Sequence, residues 1–126
     1  MPPKGAMLRT GLLGEELAAV YLKHAGYQIV EKNYRCPLGE VDIVARDGES
    51  LVFVEVKSRR SDKFGVPQLA VGAKKQEKLS KIALYYLKEK RLHGRQARFD
   101  VVAVRILSEG NRVELIKNAF DLCYGW

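Results

Sequence analysis

Apolar and polar residues alternate along the chain with a spacing that changes several times, and each change predicts a new element. Near the N-terminus the apolar residues recur at helical spacing and form one stripe: Leu13, Leu17, Val20 and Tyr21. This pattern predicts a helix over about 11–25, capped by Thr10 and stopped by Gly26. Residues 1–9 precede the periodic pattern and are expected to form a flexible arm.

Later segments are rich in strand-forming residues and are bounded by turn-forming residues, as β-strands are. The predicted strands cover residues 27–33, 40–46, 51–57, 99–106 and 112–116. A polar, basic loop over 58–67 and a long basic helix over about 69–92 separate the third strand from the fourth. The predicted order is therefore α-β-β-β-α-β-β.

The second and third predicted strands form an antiparallel hairpin, because the residues DGES between them are typical of a turn. Side chains alternate across a strand, so Glu55 and Lys57 share one face and the neighbouring valines share the other. A four-residue loop would place Asp42 directly opposite Glu55, and a two-residue loop would place it diagonally on the same face. A three-residue loop would turn Asp42 to the opposite face.

Two carboxylates so close together repel each other unless a proton, a metal ion or an ammonium group neutralises them. Lys57 alone leaves the site negative, and a hard cation such as Mg²⁺ fits the remaining deficit. Glu16, at the edge of the apolar stripe of the first helix, is a third candidate carboxylate, whereas Glu15 is expected to point to solvent. Three acids and a lysine predict metal-assisted phosphodiester hydrolysis.

The same charges have a structural interpretation, since a Glu-x-Lys pair on a strand is often a solvated face or part of an ion-pair network. Asp100, inside a hydrophobic strand, is expected to be a structural partner of Arg98 or Arg95.

Length and net charge indicate the number of domains and the kind of partner. The 126 residues fit one domain, and 22 Lys and Arg against 15 Asp and Glu give a net charge of +7. Such a surplus suggests an anionic partner, most commonly nucleic acid, although a merely basic soluble protein has the same composition. The candidate phosphate-binding residues lie in the basic loop and the long helix: Arg59, Arg60, Lys74, Lys75 and Lys78.

The cysteines and the N-terminus favour a cytoplasmic protein. Cys36 and Cys123 have no metal-binding or redox spacing and are interpreted as reduced thiols, with a disulfide between them left open. No signal-peptide pattern and no apolar run of about 20 residues is present.

Several of these motifs together resemble a known family. Asp42 followed by Glu55-x-Lys57 resembles the D…E-x-K signature of the restriction-endonuclease-like superfamily. More closely, the segments GEVDIVARDG, LVFVEVKSRR and RFDVVAV are similar to the YraN-like family of predicted endonucleases, which is related to the archaeal Holliday-junction resolvases. The similarity extends over nearly the whole chain, from about Leu8 to Phe120.

The resemblance implies a restriction-endonuclease-like α/β fold, with a central mixed β-sheet flanked by helices, and a DNA endonuclease that depends on Mg²⁺ or Mn²⁺. It implies that Asp42 and Glu55 bind metal together with the backbone carbonyl of Val56, that Lys57 is the catalytic lysine, and that Glu16 is the helix acid. Junction resolvases act on branched DNA in recombination and repair as dimers, so a homodimer is also expected. The alternatives are a nuclease-like module that binds nucleic acid without cutting it, and a scaffold whose basic helix meets an acidic protein.

Overall fold

A computed structural model describes residues 4–60 and 71–121 of the chain. The elements are α1 (Lys4–His24), β1 (Gln28–Cys36), β2 (Gly39–Asp47), β3 (Ser50–Arg59), α2 (Ala73–Glu89), β4 (Ala97–Arg105) and β5 (Arg112–Phe120). The predicted order α-β-β-β-α-β-β is confirmed. Within the described ranges, neither helix is long and apolar enough to cross a membrane.

The five strands form one mixed sheet in the order β1-β2-β3-β4-β5. Neighbouring strands are antiparallel except β3 and β4, which are parallel and connected through the segment that contains α2. The two helices cover opposite faces of the sheet: α1 packs on the face of Val52 and Val54, and α2 on the face of Leu51 and Phe53. The expected mixed α/β sheet with flanking helices is therefore confirmed.

The boundaries of the helices differ from the predictions. Helix α1 begins at Lys4, so most of the expected arm over 1–9 is helical and Thr10 lies within the helix instead of capping it. Helix α2 begins at Ala73, and residues 61–70 of the expected basic loop and helix start lie outside the described residues. Strand β3 continues to Arg59 and so includes two residues assigned to the loop.

The buried face of α1 differs from the predicted apolar stripe. Its small residues Gly14, Ala18 and Ala19 are buried with Leu22, while Val20 is 53% exposed. The reason is close packing: a side-chain carbon added at Gly14 would collide with the Cβ and Oγ of Ser58 on β3. The stripe prediction was wrong for Val20 and for Tyr21, which is also exposed, because it assumed that the larger apolar residues would face the sheet.

The alternation of β2 is interrupted at Asp42. Ile43 belongs to the core on the α1 face, whereas Val41, two residues earlier, belongs to the core on the α2 face. Strict alternation would have placed both residues on the same face. The pairing of β1 with β2 omits Asp42 and Asn33, and Asn33 has a φ of 52°, in the left-handed region. The register of β1 with β2 does not shift at this point, since its shift lies between Ile29 and Glu31, so Asp42 departs from the regular alternation without an inserted residue.

The predicted structural role of Asp100 is confirmed. Its side chain is completely buried and accepts hydrogen bonds from the Arg98 Nε (3.0 Å), the Tyr27 hydroxyl (2.6 Å) and the Asn118 N–H (2.9 Å). Arg98 also donates to Asp47 at 2.7 Å. Burial and the Asp100 interaction raise the pKa of Tyr27, so its hydroxyl stays protonated and able to donate. This network fixes the start of β4 beneath the end of α1.

Candidate active site

The site lies where β2 and β3 separate. Their ladder pairs Arg46 with Leu51 and ends at the pair Ile43–Val54. This register is the one predicted for a four-residue loop, although a further pair, Asp47–Ser50, shortens the turn itself to two residues. Counted onward, the register places Asp42 beside Glu55, as that alternative required.

Beyond the last ladder pair, the Asp42 side chain replaces the backbone of β2 as the partner of β3. Its Oδ2 accepts a hydrogen bond of 2.8 Å from the Val56 N–H. The N–H and C=O of one strand residue point to the same side, so the Val56 carbonyl faces the same opening. We call this opening the β2–β3 fork, formed by Asp42, Glu55, Val56 and Lys57.

Strand β3 keeps its position at the fork because it stays paired with β4. Glu55 pairs with Val101 and Lys57 with Ala103 in the parallel ladder. Glu55 and Lys57 are both half-buried, and Val56 packs with the core on the α1 face. The predicted division of β3 into a charged face and a valine face is therefore confirmed.

The environment of Asp42 favours its neutral form. The pKa of Asp42 is raised to about 7, mainly by burial and also by the negative charges of Glu55, Glu15 and Glu40. The hydrogen bond from the Val56 N–H acts in the opposite direction and lowers this pKa. A carboxyl held in this way gains from any cation that neutralises it.

The expectation that Glu15 points to solvent was wrong, because Glu15 is the helix acid whose charge acts on Asp42. The catalytic role implied for Glu16 stays a prediction. Glu15 is half-buried and close enough to act on Asp42 through its charge, whereas Glu16 is exposed. The cause is the rotation of α1 that brings Gly14 against β3. The small residues at 14, 18 and 19 were the sequence signal that could have identified this face.

Glu55 makes an ion pair that the sequence did not reveal. Its Oε1 lies 3.3 Å from the Nζ of Lys75, which projects from the first turn of α2. Helix α2 is seated close to the fork: Gly39 has a φ of 144°, and an added side-chain carbon there would lie 2.9 Å from Lys78 Cε and from Ile82 Cδ1.

The predicted phosphate-binding residues flank the fork on two elements and are all accessible. Arg59 and Arg60 lie at and just beyond the end of β3. The three lysines lie in the first turns of α2. All five residues are exposed: Arg59, Arg60, Lys74, Lys75 and Lys78. Arg59 donates to the Ser58 carbonyl at 2.8 Å, and Arg60 donates to the Thr10 hydroxyl on α1. All five side chains therefore remain on the protein surface, where a phosphate could reach them.

The donor chemistry of the fork fits a hard divalent cation that keeps several waters. Two carboxylates and a carbonyl are oxygen ligands of the kind that Mg²⁺ accepts, and Mg²⁺ commonly takes only one or two carboxylates from a protein. Among residues 4–60 and 71–121, no group of three or more His, Cys, Asp and Glu side chains is arranged to hold a metal ion. The fork itself offers two carboxylates and one carbonyl, with Glu15 and Glu40 as further negative charges.

The cysteine of β1 plays no part in this site. Cys36 is a half-buried free cysteine at the end of that strand. Cys123, the other predicted thiol, lies outside the described residues.

Sheet topology and fork together define an α/β protein with two acids and a lysine at the point where two antiparallel strands diverge. The chain belongs to the uncharacterised protein family UPF0102, the YraN-like group, whose model matches residues 14–104. The matched segment includes the four residues of the fork and all of α2.

Relatives match over most of their length. A UPF0102 protein of Syntrophus aciditrophicus is 66% identical over 118 residues, which cover 94% of this chain and 93% of the relative. The UPF0102 protein GSU0650 of Geobacter sulfurreducens is 56% identical over 115 residues, covering 90% of each chain. A UPF0102 protein of Moorella thermoacetica is 51% identical over 114 residues, covering 89% of this chain and 95% of the relative.

Proposed function

We propose that this protein is a divalent-metal-dependent endonuclease that hydrolyses phosphodiester bonds of DNA, with branched or structured DNA of recombination and repair as its substrate. The observation that carries the proposal is the β2–β3 fork, where Asp42 lies beside Glu55 with Lys57 on the same strand.

Each residue of the fork has a role in this proposal. Asp42, Glu55 and the Val56 carbonyl hold Mg²⁺ or Mn²⁺, and Glu15 adds negative charge behind Asp42. When bound, the metal polarises the phosphate and lowers the pKa of a bound water. Lys57 orients that water or offsets the charge that develops on the phosphate. The cations of α2 and of the end of β3 bind the DNA backbone.

The test is cleavage of labelled four-way junctions, flaps and duplexes by the purified protein in Mg²⁺ or Mn²⁺. The wild type should cut at least one substrate, EDTA should stop the reaction, and Asp42→Ala and Glu55→Ala should reduce cleavage by at least about a hundredfold, as loss of central catalytic groups does. Lys23→Ala, a change of an exposed lysine in the last turn of α1, is the control and should keep most of the rate. Equal cleavage by wild type and both acid variants would contradict the proposal.

A second candidate is a module that binds nucleic acid without cutting it. It is favoured by the contacts that already satisfy the acids, since Asp42 accepts from Val56 and Glu55 pairs with Lys75. Binding to a labelled junction would then be sensitive to salt and indifferent to EDTA and to Asp42→Ala. Metal-dependent cleavage would exclude this candidate.

A further inference from the structure

The ion pair between Lys75 and Glu55 joins the basic helix to the fork. The side chain of Lys75 is 55% exposed, whereas that of Glu55 is only 17% exposed. The carboxylate is therefore held within the fork, and the ammonium reaches it from the surface on which a polyanion would lie.

A divalent cation and this ammonium need the same carboxylate. A hard cation binds carboxylate oxygens at roughly 2–2.6 Å, and the Lys75 Nζ is 3.3 Å from Glu55 Oε1. Both positive charges beside one carboxylate repel each other. Binding of the cation is therefore easier once Lys75 has another anionic partner.

A nucleic acid supplies such a partner. Lys75 lies in the first turn of α2, next to the exposed Lys74 in the sequence. Lysines on exposed surfaces bind backbone phosphates as mobile point charges, and the long side chain can turn outward without a change in the helix.

We propose that Lys75 is a positioning residue that exchanges Glu55 for a backbone phosphate, so that the binding of nucleic acid and of the divalent cation strengthen each other. This inference rests on the proposed function. It adds that metal binding at the fork is coupled to the binding of substrate. In the metal-free protein, Lys75 thus neutralises the Glu55 carboxylate until DNA binds.

The first experiment measures Mn²⁺ binding to the full chain without DNA, by titration calorimetry. Lys75→Gln should bind Mn²⁺ about two- to fivefold more tightly than wild type, the range expected when an exposed ion pair is removed. Lys75→Arg keeps the competing charge and should resemble wild type. Lys74→Gln, which removes the neighbouring lysine, should change the affinity less than Lys75→Gln does.

The second experiment measures how strongly Mn²⁺ tightens binding of a labelled four-way junction, in a Lys57→Ala background chosen to slow cleavage. The tightening should be smaller when Lys75→Gln is added, because Glu55 is then already available to the metal, and junction binding in EDTA should be weaker. Lys75→Arg should keep the coupling.

The outcomes separate the two proposals. If wild type binds Mn²⁺ and cleaves, but Lys75→Gln binds Mn²⁺ equally or more weakly, or leaves the coupling unchanged, this inference is wrong and the proposed function stands. If wild type neither binds Mn²⁺ nor cleaves any substrate, both are wrong.

Discussion

The Oδ2 of Asp42 accepts a hydrogen bond of 2.8 Å from the backbone N–H of Val56. This contact extends the β2–β3 pairing with a side chain in place of a backbone carbonyl. It holds a partly buried carboxyl beside Glu55, so the stability of the metal-free protein should depend on the charge of Asp42.

Replacing Asp42 by Asn should stabilise the metal-free protein above pH 7. The folded pKa of about 7 lies above the unfolded value of 3.8, so the folded state binds more protons between these values. Stability of the wild type therefore falls as the pH rises from about 4 to about 7, at up to about 1.4 kcal/mol per pH unit. The neutral amide of the Asp42→Asn variant would resemble the protonated acid and remove this slope.

Urea unfolding at pH 5 and pH 8.5, with EDTA, checks this prediction. The gain from Asp42→Asn should be several-fold larger at pH 8.5 than at pH 5, and Mn²⁺ should stabilise wild type more than the variant. A gain that is the same at both pH values would contradict the assigned environment of Asp42.

Glu15 and Glu16 form a matched pair on α1. Glu15→Gln should weaken Mn²⁺ binding and cleavage by about tenfold, as changes just outside a metal site commonly do. Glu16→Gln should have little effect, because Glu16 is exposed. The check is calorimetry and cleavage with both variants side by side; the reverse ranking would mean that α1 is rotated differently against the sheet.

Two glycines of α1 should respond oppositely to alanine. Gly14→Ala should lower the free energy of unfolding by about 1–3 kcal/mol, because the added methyl group collides with Ser58. Gly11→Ala meets no atom within 4 Å and should raise it by roughly 0.5–1 kcal/mol, since Ala favours a helix over Gly. Urea denaturation of both variants measures the difference, and stabilisation by Gly14→Ala would refute the close packing.

The two acids that contact Arg98 should differ in their importance. Asp100→Ala should cost about 3–5 kcal/mol, because it leaves the Arg98 charge and the Tyr27 hydroxyl without their buried partner. Asp47, whose pKa the Arg98 guanidinium lowers, is 32% exposed, and Asp47→Ala should cost about 1 kcal/mol or less.

Thermal unfolding at one pH compares these two variants. Their melting temperatures should separate clearly, with Asp100→Ala the lower, while Asp47→Ala stays near wild type. Equal losses would show that the network depends on the exposed end as much as on the buried one.

Local sequence patterns were enough to predict the order of the elements, the hairpin that contains Asp42 and Glu55, the split of β3 into charged and valine faces, and a structural role for Asp100 beside Arg98 or Arg95. These follow from local rules: hydrophobic period, turn residues and the alternation of side chains along a strand. Because these rules act over a few neighbouring residues, the order of apolar and polar residues along the chain is enough to predict such features.

Contacts between distant segments set which helix acid approaches Asp42, how β2 departs from alternation, and that Lys75 reaches Glu55. The rotation of α1 depends on the fit of Gly14 against Ser58, far along the chain, and the change of face in β2 is seen only in the packing of Val41 and Ile43 on opposite sides of the sheet. Contacts between residues far apart in sequence follow from how surfaces of small and large side chains pack, and no short-range period encodes that fit.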